Sequence, residues 1–112
     1  MNMQLRLKTD PLTKLLADLV AIPSMNPMGR KREGAQYSEK NIADFIGSYL
    51  KRNAIDFEVY DIAPGHPNVM GFVDAKAQDT LLLEAHMDTV HADNMSVDTF
   101  SPVIRDEKLY GR

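Results

Sequence analysis

The chain has 112 residues, a length that suits one domain with a buried core, and its 44% hydrophobic and 26% charged residues match a folded soluble protein rather than a disordered one. Its formal net charge of -3 lacks the basic excess of a nucleic-acid binder, and with no cysteine both a disulfide framework and a thiolate metal site are excluded, so any metal must be held by His, Asp or Glu. No charged-then-apolar leader opens the chain and no apolar run approaches the about 20 residues of a membrane span, so the expectation is a cytoplasmic protein with neither membrane nor nucleic acid as partner.

The first predicted element is a helix over 10–22. Asp10 is placed to cap it, and Pro11 follows at the first helical position, where its missing N–H costs nothing. Leu12, Leu15, Leu16, Leu19, Val20 and Ile22 recur at helical spacing, and Pro23 ends the pattern. Residues 23–37 read as a loop, rich in Pro, Gly, Ser and Asn and carrying the basic run Arg30-Lys31-Arg32. That run reads as a solvated loop, or as a contact for an anionic substrate group.

Ser38 is the expected N-cap of a second helix, with Ile42, Phe45, Ile46, Tyr49 and Leu50 as its buried stripe. Gly47 weakens it by up to about 1 kcal/mol against alanine. Lys51 and Arg52 sit near its C-terminus, where positive charge suits the helix dipole.

From Ile55 the period changes to two. Ile55, Phe57 and Val59 alternate with Asp56 and Glu58, and Tyr60 and Ile62 extend the strand. Ala63-Pro64-Gly65-His66-Pro67 is a turn, and Asn68 to Val73 a second strand. Thr80 to Ala85 is a third, in which Leu81-Leu82-Leu83 reads as covered on both faces. Val103 to Tyr110 is a hairpin turning at Asp106-Glu107. The predicted class is α/β, a sheet with helices on its faces.

Chemistry concentrates at His86-Met87-Asp88, directly after the third strand. In an extended segment residues i and i+2 point to the same side, so His86 and Asp88 project together from the strand's C-terminal end. A neutral imidazole binds a metal through one nitrogen, and a carboxylate on the other fixes its tautomer and raises its basicity. Taken alone, His-x-Asp is a weak signal, more often structural than ligating.

Its surroundings add a resemblance. Thr80 through Val90, with His86-Met87-Asp88-Thr89-Val90 at its end, resembles the first metal-binding motif of the zinc metallopeptidases and deacylases that include acetylornithine deacetylase, succinyl-diaminopimelate desuccinylase, aminoacylase and glutamate carboxypeptidase. Leu16 through Pro27, Pro67-Asn68-Val69, Phe100-Ser101-Pro102-Val103 and Asp106 through Arg112 resemble further segments of that family in the same order. The departures are Glu107 where glycine is common and Thr99 where proline often precedes the Phe.

The resemblance implies a three-layer α/β/α zinc-exopeptidase-like catalytic domain with a mixed sheet, of which residues 1–112 would be the N-terminal, metal-binding part, without the lid and dimerisation domain. It implies His86 as a ligand to one of two zinc ions, with cobalt or manganese as substitutes, and Asp88 as the catalytic carboxylate that orients it. The whole relative would hydrolyse an amide bond in a small N-acyl amino acid or short peptide and form a homodimer, and the 112 residues alone would be inactive. The alternatives are a non-catalytic α/β binding or structural module and a metal-free α/β protein with chance similarity. His91, His66, Asp93, Asp98 and Asp106 read as structural or solvent-facing residues.

Overall fold

The computed structural model of the protein describes residues 10–96 and 98–112. Within them the chain forms α1 (Pro11–Val20), a 3-10 turn (Ala35–Tyr37), α2 (Lys40–Arg52), and strands β1 (Asp56–Ala63), β2 (His66–Phe72), β3 (Val103–Arg105) and β4 (Lys108–Tyr110). Asp10 caps α1 as its position predicts: its carboxylate accepts from the Thr13 N–H at 2.8 Å and from the Thr13 hydroxyl at 2.9 Å. The helix stops at Val20, and Pro23 follows two residues after the Ala21 cap. Its apolar stripe is only partly covered, with Leu15 and Leu19 half-buried and Leu12 and Leu16 exposed. Val20 lies against the backbone of Gly111, which brings the end of α1 to the end of β4.

The second helix begins at Lys40, one turn residue later than a Ser38 cap would place it. Ser38 still serves the helix end. Its hydroxyl accepts from the Lys40 N–H at 3.1 Å and donates to the Gly65 carbonyl at 2.5 Å, which ties α2 to the turn between β1 and β2. Glu39 reinforces the tie by pairing with His66 Nδ1. Ile42, Ala43 and Gly47 form the buried face of α2.

β1 and β2 pair antiparallel from Asp56 opposite Phe72 through Val59 opposite Val69, with an irregularity between Asp61 and Ala63. Gly65 turns the chain at a φ of +79°, a conformation that favours glycine. α2 covers one face of this hairpin. Phe57 packs onto Gly47, and Leu50 and Ile55 close over Gly71. Two glycines thus give the helix and the hairpin their close approach.

The third strand does not form. Residues 80–85 have no ladder partner among the described residues, and Leu81, Leu82 and Leu83 are 82%, 75% and 84% exposed. An apolar run states that its side chains gain from cover; a strand also needs a neighbour for its N–H and C=O groups, and the run does not supply one. The described strands form two separate antiparallel pairs, β1 with β2 and β3 with β4. Among the described residues the chain is therefore a small α/β fold, with a helix over one face of a hairpin and two small antiparallel sheets.

The β3–β4 hairpin turns where predicted. Asp106 and Glu107 both have positive φ, 50° and 61°, as a two-residue type I′ turn requires. Glycine meets that requirement without strain, whereas a side chain in this region costs roughly 1–2 kcal/mol. Glu107→Gly is expected to raise stability by about 1 kcal/mol in urea unfolding. At Gly47 the expectation reverses. Alanine would gain about 1 kcal/mol of helix propensity, but its Cβ would sit 2.9 Å from Phe57 Cε2, so Gly47→Ala is expected to lower the unfolding midpoint.

Candidate functional site

The segment after the exposed leucines is held by the loop that follows α1. Ser24 and Met25 are buried there, Ser24 almost completely. Met25 and Thr89 form a parallel bridge. The Thr89 N–H donates to the Ser24 carbonyl at 2.9 Å, and the Asn26 N–H donates to the Thr89 carbonyl at 2.7 Å. The Ser24 hydroxyl donates to the Met87 carbonyl at 2.8 Å. Two segments more than sixty residues apart are thereby locked in register, and the lock brackets Asp88.

His86 and Asp88 stand together as the i, i+2 spacing predicts. His86 Nδ1 lies 2.9 Å from Asp88 Oδ1 and 2.8 Å from the Asp88 carbonyl oxygen. Both of these atoms accept, so Nδ1 carries a proton, and in the neutral ring Nε2 keeps its lone pair. The ring is 85% exposed, while the Asp88 side chain is 31% exposed. The second oxygen of Asp88 accepts from Asn26 Nδ2 at 2.8 Å. Asn26 Oδ1 accepts in turn from the Met28 N–H at 2.8 Å.

This arrangement sets the charge state of the pair. The Asp88 carbonyl, and then its carboxylate, raise the His86 pKa above the ordinary 6.5. The Asn26 amide, assisted by His86, holds the Asp88 carboxyl below its ordinary 3.8 against the opposing effect of burial. The pair thus favours the anionic form of Asp88 and a His86 ring of raised basicity.

Such an imidazole fits one coordination position of a zinc-like cation: Nε2 faces outward with its lone pair, and Nδ1–H is anchored on a carboxylate. The described residues offer no group of three or more His, Asp or Glu that could hold a metal ion. They therefore fit one ligand and its orienting partner, and a stable centre needs further ligands.

The other sequence candidates lie elsewhere. His66 is engaged by Glu39 at the foot of α2. His91 Nδ1 is within 3.5 Å of Asp93 Oδ2 but makes no hydrogen bond. Asp93 is the partner of Arg32, whose Nη2 lies 2.7 Å from it. Arg32 also donates to the Tyr37 hydroxyl at 3.2 Å and stacks over that ring. Its charge holds the Asp93 carboxyl below the ordinary range. Arg30 and Lys31 are exposed, as a solvated loop implies, but Arg32 is 18% exposed and committed to Tyr37 and Asp93. Asn26 was legible as a loop residue within the Leu16–Pro27 segment, but not as a partner of Asp88. Its partner lies 62 positions away, and nothing in the spacing announces it.

No helix among the described residues is long and apolar enough to cross a membrane. No family model and no solved structure matches the chain. Two curated proteins do. The chain is 34% identical over 109 residues to an uncharacterized metallohydrolase of Methanocaldococcus jannaschii, an alignment covering 88% of this chain and 26% of that protein. It is 26% identical over 109 residues to the N-formyl-4-amino-5-aminomethyl-2-methylpyrimidine deformylase of Bacillus subtilis, covering 92% of this chain and 24% of that one. The chain spans about a quarter of the length of the curated relatives it matches, one of which is named a metallohydrolase and the other a deformylase.

Proposed function

We propose that this chain supplies part of the metal centre of a hydrolase of the zinc metallopeptidase and deacylase family, acting on the amide bond of a small N-acylated amine, amino acid or short peptide. The observation that carries this reading is the His86–Asp88 pair, with Nδ1 anchored at 2.9 Å and Nε2 turned to solvent. The names of the relatives agree with it: one is a metallohydrolase, and the other removes a formyl group from an N-formyl compound, which is an amide cleavage.

In this mechanism His86 would hold the cation through Nε2. Asp88 keeps the ring in the one tautomer that can do so, and its negative charge makes the imidazole a stronger donor. When bound, the metal supplies a Lewis acid that makes water nucleophilic near neutral pH and polarises the scissile carbonyl. A general base to take the proton from the attacking water is not provided by His86, whose Nε2 would be given to the cation, or by Asp88, whose two oxygens are engaged by His86 and Asn26. The remaining ligands and that base would come from other parts of the active protein.

A second reading is a non-catalytic α/β module. It is favoured by the lack of a three-ligand group among the described residues. Zinc titration against a competing chelator, together with hydrolysis of N-formyl and N-acyl amines, separates the two. In an active protein that carries the remaining ligands, the metal reading expects His86→Ala to lose hydrolysis and to weaken zinc binding at least tenfold, as loss of a direct ligand should. Equal zinc affinity with and without the His86 side chain would sink it.

The pair also sets a pH dependence. Asp88 raises the pKa of His86, so a proton competes with the metal for this ring up to a higher pH than for a free imidazole. NMR titration of metal-free protein is expected to give His86 a midpoint above 6.5, and Asp88→Asn is expected to lower it part-way. The fall is partial because the Asp88 backbone carbonyl, the larger contributor, remains.

A further inference from the structure

We propose that Arg112 is a binding site for a small carboxylate, set where the end of α1 meets the β3–β4 hairpin. Binding there involves no metal and does not draw on the function proposed above. Nε, Nη1 and Nη2 of Arg112 are all shielded from water, and none has a hydrogen-bond partner among the described residues. Other arginines of the chain are provided for: Arg32 has Asp93 and Tyr37, and Arg105 lies 3.8 Å from Asp106. The groups beside Arg112 are apolar. Its guanidinium carbon is 5.8 Å from the centroid of the Phe100 ring. Gly111, just before it, lies against Val20 and the Pro102 backbone, so closely that a Cβ would meet both. Burial alone pushes the Arg112 pKa down, with no neighbouring charge to oppose it.

A guanidinium keeps its charge in a protein and carries five N–H donors in a planar fork. Taking that fork out of water with every donor unmet is costly, and an aromatic face recovers only part of the loss. A carboxylate answers both needs. Its two oxygens match two parallel N–H groups, and its single negative charge cancels the single positive one. Phosphate fits the fork as well, but it would bring more charge than one guanidinium balances into apolar surroundings. The same surroundings strengthen the pair relative to one formed in water. Arg112 as a whole is only half-buried, so a change of rotamer brings the fork to the surface, where a small anion can meet it.

The test follows the Nε–H signals of the arginines by 15N NMR in the unsubstituted chain, titrated with sodium acetate against sodium chloride at equal ionic strength. Arg52 is the internal control: it too lies over an aromatic ring, Tyr49 at 6.0 Å, but it is exposed. The Arg112 signal is expected to reach half-saturation at an acetate concentration roughly tenfold below that of Arg52. Acetate should also raise the urea midpoint more than chloride does, and Arg112→Met should abolish that difference. An Arg112 signal that moves no earlier than that of Arg52, or moves equally in chloride, would overturn the proposal. A tighter response to inorganic phosphate than to acetate would do the same. So would an Arg112 signal that shifts with protein concentration before acetate is added, because a carboxylate of a second copy would then be the occupant. If Arg112→Met does not fold, the arginine signals of the unsubstituted chain decide alone.

Discussion

The pairing of Ser24–Asn26 with Met87–Thr89 is the constraint on which the candidate site depends. It is made of four hydrogen bonds between distant segments, with the Met25–Thr89 bridge at its centre. Remove it, and the backbone on either side of Asp88 has no fixed neighbour, since residues 80–85 contribute no ladder of their own. Ser24 is the most deeply buried polar residue described, and its hydroxyl is satisfied by the Met87 carbonyl. Losing the Met87 acceptor would leave the buried Ser24 hydroxyl unsatisfied, which costs more than the contact itself contributes when made. The site is thus supported from outside the sheets, by a loop.

The second anchor is independent of the first. α2 lies on the β1–β2 hairpin through Gly47 and Gly71, and Ser38 and Glu39 fasten its N-terminal end to the hairpin turn. This unit holds most of the regular structure, whereas the candidate chemistry belongs to the loop pairing. The Arg32–Tyr37–Asp93 cluster spans the two ends of that pairing, joining the basic loop to the residues after Thr89. A charge run that composition assigns to solvent supplies here one of the long-range ties of the fold.

Local signals carried most of what could be foreseen. Asp10 followed by Pro11 marked the start of α1, the alternation from Ile55 marked β1, and the i, i+2 spacing brought His86 to Asp88. Each of these is settled within a few residues. The exposed leucines show where that logic stops, because their pattern records a need for cover without naming what provides it. Asn26 and Ser24 show the complementary failure. Both looked like ordinary loop residues, and their roles come from partners 62 and 63 positions away. Glu107 sits between these cases. Its departure from glycine was visible in the chain, and the positive φ gives it a physical meaning.

Leu81, Leu82 and Leu83 have one more consequence, which concerns how the protein behaves in bulk. They form an apolar, proline-free window with unpaired backbone groups, the kind of segment that templates strand pairing between molecules. Asp79 and Glu84 flank it, and like charges on approaching copies resist that pairing. Added salt screens this repulsion while leaving the leucines as apolar as before. Higher ionic strength is therefore expected to favour association of copies through this window, and low ionic strength to oppose it.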